Sequence, residues 1–311
     1  ISATYDIATD GFYMLALSEE KQAFFVGIRT LCYRLAIIFS TGFLVYFAGN
    51  LEKSTENIPL SWSITLGLAS VIFAILFVFH FFTLPQPEVK NQTKSAATRN
   101  EIPFIRVVRS YFSQRGIFAI LAFILLYRLG EAMLVKIATL FLLDETSAGG
   151  LALSTEQYGL VYGTFGVISL ISGGILGGLV ISKYGLKKCL LPMALALNLP
   201  DLFYVYMAYS KPPLELVYPL VSLEQFGYGL GFTAFTVYLM HICKGEYKTS
   251  HFAISTGLMA LGLMLPGAIS GTIQQSIGYP MFFILVSLLT IPGMATIFFI
   301  PLNEERKSEA S

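Results

Sequence analysis

Charge is scarce in this chain. Asp, Glu, Lys and Arg make up 13% of its 311 residues, about half of what a soluble domain uses to face water. A solvated surface cannot be assembled from that inventory. With 55% hydrophobic residues and a mean hydropathy of +0.69, disorder is excluded as well. A net charge of only +1 lacks the electrostatic footprint of a nucleic-acid binder. Cysteine is also rare, and Cys32, Cys189 and Cys243 have neither metal-site nor CxxC spacing nor the pattern of a disulfide framework. They fall in apolar runs or at their ends and read as small core hydrophobes. HExxH, GxSxG and P-loop signatures are missing, so a membrane protease, a lipase or an ATP-driven pump has no machinery here. The chain reads as non-enzymatic, with no cofactor and no metal site. No leader with a charged and then an apolar region follows Ile1, and the sequence reads as beginning inside a larger protein.

What is abundant is long apolar segments. A helix needs about 20 apolar residues to cross the hydrocarbon core, and such runs recur near 24–49, 60–83, 117–143, 157–182, 188–209, 215–242, 250–275 and 279–301, with 1–17 a more polar ninth. They lack the alternation of barrel strands. The expected fold is therefore an all-α membrane protein. The longest polar stretch, 84–116, reads as a central loop between residues 1–83 and a six-helix bundle at 117–302, followed by a tail at 303–311. Lys and Arg concentrate in cytoplasmic loops. With 84–116 placed inside, fourteen of the 20 Lys and Arg fall on the inner side and only Lys53 and Lys211 on the outer. The central loop and the C-terminus are then cytoplasmic. Three spans before the loop and six after it read as about nine of the twelve spans of a six-plus-six transporter.

Four cations, Arg29, Arg34, Arg128 and Lys136, lie within the spans. An ionisable group at bilayer depth costs roughly 2.5–3.5 kcal/mol on insertion scales, so each needs a partner or a task. Asp6 and Asp10 are spaced i,i+4 on one helix face, and two carboxylates that close compete to hold charge, which suits binding and release of a proton. Alternatively Asp10 caps a helix or pairs with an arginine. Arg128 and Glu131 are spaced i,i+3 and either neutralise one another or, with Arg34, face an anionic substrate that a guanidinium binds bidentately. Glu224, near the middle of its span, is a further protonatable candidate or a neutral hydrogen-bonded residue. Asp201 is placed near a span end. His80, His241 and His251 read as interfacial. Glycines at 173, 174, 177 and 178 and at 267 and 271 form GxxxG patterns that permit close helix approach, while Gly227, Gly229, Gly231, Pro200 and Pro266 interrupt helices that must bend.

The segment GLVISKYGLKK resembles the cytoplasmic-loop motif of the major facilitator superfamily through Gly178, Lys183, Gly185 and Lys187, with Ser182 in place of its Asp and Leu186 in place of its first basic residue. ISATYDIATDGFYMLAL resembles the fourth-span signature of the AmpG-like permeases within it, with Tyr5 where that family usually has Gln or His. FILLYRLGEAML resembles their seventh span through Tyr127, Arg128, Gly130 and Glu131, and SLEQFGYGLGF their tenth through Glu224, Phe226, Gly227 and Gly231. The resemblance implies a major facilitator fold and a proton-coupled importer of anhydro-muropeptides, the wall fragments recycled by bacteria, in the inner membrane. It implies proton coupling at Asp6, Asp10, Glu131 or Glu224 and substrate binding by Arg34, Arg128 and Tyr127. The expected partners are a small anionic substrate, protons and the lipid bilayer, with no nucleic acid, and the protein is expected to be a monomer. An acetyl-coenzyme A or other organic-anion porter of the same fold, and a non-transporting membrane sensor, remain open alternatives.

Overall fold

The computed structural model describes residues 35–83, 104–243 and 247–302, and every element of regular structure among them is helical. The chain divides into two compact units, Ile1–Glu101 and Ile102–Ser311. The expected span at 1–17 lies outside the described residues.

In the first unit, α1 (Leu35–Thr55) and α2 (Ile58–Thr83) form a hairpin. The expected span at 24–49 therefore runs further, because Asn50, Glu52 and Lys53 are tolerated at its end. The turn is made by Glu56 in the left-handed region (φ 50°) and by Asn57, whose Oδ1 accepts from the Leu60 amide at 3.0 Å. Trp62 Nε1 donates to Glu52 Oε1 at 2.9 Å and ties the two helices together.

The second unit begins with α3 (Phe104–Phe112). This helix lies inside the stretch read as a loop. Its apolar residues recur at helical spacing, but Arg106 and Arg109 between them and its short length disguise the period. Val107 and Tyr111 are buried, and the Tyr111 hydroxyl bonds Ser255 Oγ at 2.9 Å. Next come α4 (Ile117–Leu143), α5 (Thr155–Tyr184), α6 (Leu186–Ser210) and α7 (Leu214–Ile242). The helical run Lys248–Thr296 follows, which Gly278 at φ 75° divides into two arms, α8 (248–277) and α9 (279–296). Among the described residues, six helices are long and apolar enough by composition to cross a membrane. The 29-residue α7 is not one of them; Glu215, Glu224, Gln225 and three tyrosines make it more polar.

Packing rests on backbone approach. Pro200 has no N–H, so the carbonyl of Ala196 one turn earlier is left without its helical donor. Gly227 of α7 sits against that same carbonyl, where a Cβ would collide. On the other side of α7, Gly229 meets the Leu170 carbonyl of α5, and Gly173 of α5 meets the Phe226 carbonyl. The first GxxxG pair, Gly173 and Gly177, is thus the packed one, whereas Gly178 and Gly271 have open space around them. In lipid such contacts, rather than a hydrophobic drive, hold helices together.

Two apolar clusters fill the bundle. One gathers Ile120, Phe123 and Tyr127 of α4 with Leu190, Met193 and Leu197 of α6 and Phe235, Tyr238 and Leu239 of α7. The other gathers Met133 to Leu142 of α4, Tyr204 and Met207 of α6, Val217 and Val221 of α7, and Phe282, Phe283 and Val286 of α9.

Replacing Gly227 or Gly173 with Ala should lower stability by about 2 kcal/mol or more, since neither carbonyl can retreat. Gly178→Ala should be neutral or stabilising by up to ~1 kcal/mol. Thermal unfolding in detergent checks both, and equal effects at all three positions would contradict this packing.

Candidate functional site

The residues between those two clusters are polar on three helices at once. On α4 the gap holds Arg128 and Glu131, on α6 Asn198 and Asp201, and on α7 Glu224, Gln225 and Tyr228. Each helix crosses this level between an apolar stretch below and another above. Glu131 and Asp201 are 1% exposed and Glu224 3%.

Two of the helices are broken at that level. The regular geometry of α4 stops at Leu126 and resumes at Leu129, with Arg128 at φ −109°, ψ 19°. Gly293 of α9 presses on the Leu126 carbonyl and Gly130 on Val286 and Thr290, so the break coincides with the tightest α4–α9 crossing. Helix α6 is interrupted at Leu199 and Pro200, and Asp201 opens its second segment. Unwound backbone inside a membrane bundle is tolerated where it borders a polar site.

Arg128 and Glu131 are brought together as the i,i+3 spacing allows: Nε donates to Oε2 at 2.9 Å. Arg128 Nη2 also donates to the Tyr228 hydroxyl at 2.7 Å. The guanidinium carbon stands 4.8 Å from the centre of the Phe232 ring and 5.4 Å from that of Tyr228, within cation–π range. Two of its five N–H donors are engaged in this way. Nη1 bonds nothing among the described residues and is available to an anion.

The helix register carries Glu224 toward Asp201. Gly231 of α7 packs on Met193 and Leu197, and Gly227 on Ala196 and Pro200. The two helices are antiparallel, so one further turn along α7 sets Glu224 opposite Asp201 and Tyr204. The Tyr204 hydroxyl lies beside Glu224 but outside hydrogen-bonding geometry, and Glu131 and Glu224 are both within electrostatic reach of Asp201. Gln225 Nε2 donates to Glu224 Oε2 at 2.9 Å. From α5, Tyr162 lies within electrostatic reach of both Glu224 and Glu131; its ring stacks on that of Tyr158 at 5.6 Å.

Several polar atoms of this layer are left unpaired. Glu131 Oε1, Asn198 Oδ1, Asp201 Oδ2 and the Tyr204 hydroxyl have no protein partner. Among the donors, Asn198 Nδ2 goes to the Ala194 carbonyl at 2.7 Å, Gln225 Nε2 to Glu224, and two of the Arg128 N–H groups to Glu131 and Tyr228. No group of three or more His, Cys, Asp or Glu among the described residues could hold a metal ion.

Tyr127 lies apart from this layer in its contacts. Its ring stacks on Phe235 at 5.1 Å and its hydroxyl donates to the Gly231 carbonyl at 3.2 Å. Asp6, Asp10 and Arg34 lie outside the described residues. In the loop motif, Gly185 at φ 81° joins α5 to α6, Lys183 lies over the Tyr184 ring at 5.3 Å, Lys187 is exposed, and Gly178 meets no neighbour. Lys136 is exposed on α4, its stem against Gly267 of α8. Asp201, Asn198, Tyr204 and Tyr228 had not been assigned to the site from the sequence. The available signal was Asn198-Leu-Pro-Asp201, two polar residues flanking a proline inside an apolar span. Away from the layer, Lys211 Nζ donates to the carbonyls of Gly149 and Gly150 and joins the loops after α4 and α6; burial lowers its pKa from the usual lysine value.

Removing one member of the ion pair should cost far more than removing both. Arg128→Met strands Glu131 and should destabilise by about 3–5 kcal/mol. The Arg128→Met/Glu131→Leu double variant should recover most of that loss in a double-mutant cycle of thermal unfolding in detergent. Additive losses would mean that the two residues do not act as a pair.

A family model described as Major Facilitator Superfamily matches residues 3–199 and 125–311. The chain is 23% identical over 302 residues to the Rickettsia felis protein named putative transporter AmpG 4, covering 96% of this chain and 70% of that one. It is 25% identical over 293 residues to the anhydromuropeptide permease of Escherichia coli K12, covering 94% of this chain and 56% of that one. Among solved structures, a point mutant of the peptide transporter POT in complex with alafosfalin aligns with a TM-score of 0.50 and 18% identity over 59% of this chain and 38% of that one. That likeness concerns the fold.

Proposed function

The chain belongs to the Major Facilitator Superfamily, a family of multi-pass membrane transporters, and on that premise we propose that it is a proton-coupled symporter importing anhydro-muropeptides by alternating access. The observation that carries the coupling is the convergence of three buried carboxyl groups, Glu131, Asp201 and Glu224, between the two apolar clusters, with Glu131 Oε1 and Asp201 Oδ2 left without a partner. A carboxyl group becomes a donor when it takes up a proton, so this layer is suited to loading one. Beside it, Arg128 offers free N–H groups on an aromatic platform. A guanidinium so placed suits the carboxylate of a peptide-bearing sugar.

The substrate class is supported by the similarity to the anhydromuropeptide permease of E. coli and by the three span motifs. In this reading a proton on the carboxyl layer and an anion on Arg128 neutralise the site, which lowers the cost of closing it within the membrane. Because the proton and the anion cross together with no net charge, uptake is driven inward by the proton concentration difference. Asp6, Asp10 and Arg34 would supply further proton and substrate contacts, and Tyr127 would support Arg128 through its packing. The loop motif at Gly178, Lys183, Gly185 and Lys187 would act at the cytoplasmic face. The asymmetry of Lys and Arg supports a cytoplasmic 84–116 segment and C-terminus, with 84–116 separating two bundles in the bacterial inner membrane, and the protein working as a monomer.

In right-side-out vesicles holding the full-length protein, labelled anhydro-muropeptide should accumulate only under an inward proton gradient. Glu224→Gln or Asp201→Asn should abolish gradient-driven accumulation, by about tenfold or more, while exchange of external for internal substrate persists. Accumulation that needs no gradient would defeat the coupling, and so would full accumulation in the Glu131→Gln, Asp201→Asn and Glu224→Gln variants alike. A folded, inserted protein that takes up acetyl-coenzyme A instead would overturn the substrate.

A further inference from the structure

The face of α3 that points away from the bundle has the chemistry of a membrane surface. The inner face is held twice: Tyr111 bonds Ser255, and Ser110 Oγ lies 2.7 Å from His251 Nε2, both on the first turns of α8. The outer face alternates cation and hydrophobe. Arg106 and Arg109 are exposed and three residues apart, hence on one side. Ile105 beside them is 77% exposed and Phe112 45%. Neither arginine has a carboxylate partner among the described residues.

The depth of this face follows from the chain path. After Phe112 the chain runs through Arg115, also exposed, to Gly116 in the left-handed region (φ 76°), and Ile117 already begins the apolar helix α4. Phe118, the second residue of α4, is 85% exposed, as a lipid-facing side chain is. Gly116 also lies beside Pro301, just past α9 at the end of another membrane helix. Thus α3 is at the level where the bilayer begins, and bulky apolar side chains and arginines share its outward side. A helix of this kind rests in the interface, its apolar side chains at the acyl boundary and its cations among headgroups.

We propose that the outer face of α3 is a binding site for anionic phospholipid headgroups, with Arg106 and Arg109 on the phosphates and Ile105 and Phe112 in the upper acyl region. Two arginines with no counter-charge among the described residues favour an anionic lipid over a zwitterionic one. Because α3 is tied to α8 through Ser110 and Tyr111, the lipid also steadies the polar end of α8. The inference concerns a different surface from the carboxyl layer and does not depend on the transported substrate.

The test uses full-length protein in vesicles with a Phe112→Trp reporter in a background in which the native tryptophans, Trp62 among them, are replaced by Phe. Its fluorescence is quenched by brominated phosphatidylglycerol or by brominated phosphatidylcholine in mixed bilayers. Phosphatidylglycerol should occupy the site in preference by roughly fivefold or more. Arg106→Gln/Arg109→Gln should bring the preference down to about one, and Arg106→Lys/Arg109→Lys should keep most of it, which separates charge from misfolding. Equal quenching by both lipids in the parent would overturn the headgroup site. Quenching by neither would show that protein, not lipid, covers this face.

Discussion

Asp201 and Glu224 lie at the same depth as the Arg128–Glu131 ion pair, and an unpaired carboxylate there costs several kcal/mol. That cost orders the second unit. Three helices, α4, α6 and α7, have polar residues at one common level and apolar residues on both sides of it. A shift of α6 or α7 by one turn would carry Asp201 or Glu224 toward an apolar cluster, and a shift of α7 would also take the Tyr228 hydroxyl away from Arg128. The charges thus act as a register, holding helices that apolar contacts alone would let slide.

Close backbone approach makes this register possible. Gly227 seats α7 on the Ala196 carbonyl that Pro200 has freed, and the same contact presents Glu224 to Asp201 and Tyr204. Gly130 and Gly293 bring α9 onto α4 where α4 unwinds at Arg128. Both breaks fall in the polar layer and not in the apolar clusters. Interrupted backbone is therefore joined to buried ionisable side chains at one level of the bundle.

Much of this could be read from the chain itself. The spans are legible because about 20 apolar residues are needed to cross a bilayer, and charges or turns close each run. Arg128 and Glu131 are legible because i,i+3 neighbours meet on a helix, and the two form an ion pair at 2.9 Å. Glu224 stands out as an acid in mid-span. Asp201 did not stand out, because its distance from the nearest loop suggested a span end; the Pro200 interruption and the α6–α7 register bring it to the centre. The helix α3 was hidden because two arginines in nine residues resemble a loop until its inner face finds α8.

Composition and periodicity by themselves determined that this is an all-helical membrane protein with costly charges at known places along each span, since scarcity of charge and run length are properties of the chain alone. Which charges on different helices approach one another was decided only by the tertiary structure. Residues more than about four apart on a helix, or on different helices, come together through the offset between packed backbones, and that offset is set where Gly227, Gly173 and Gly293 meet specific carbonyls.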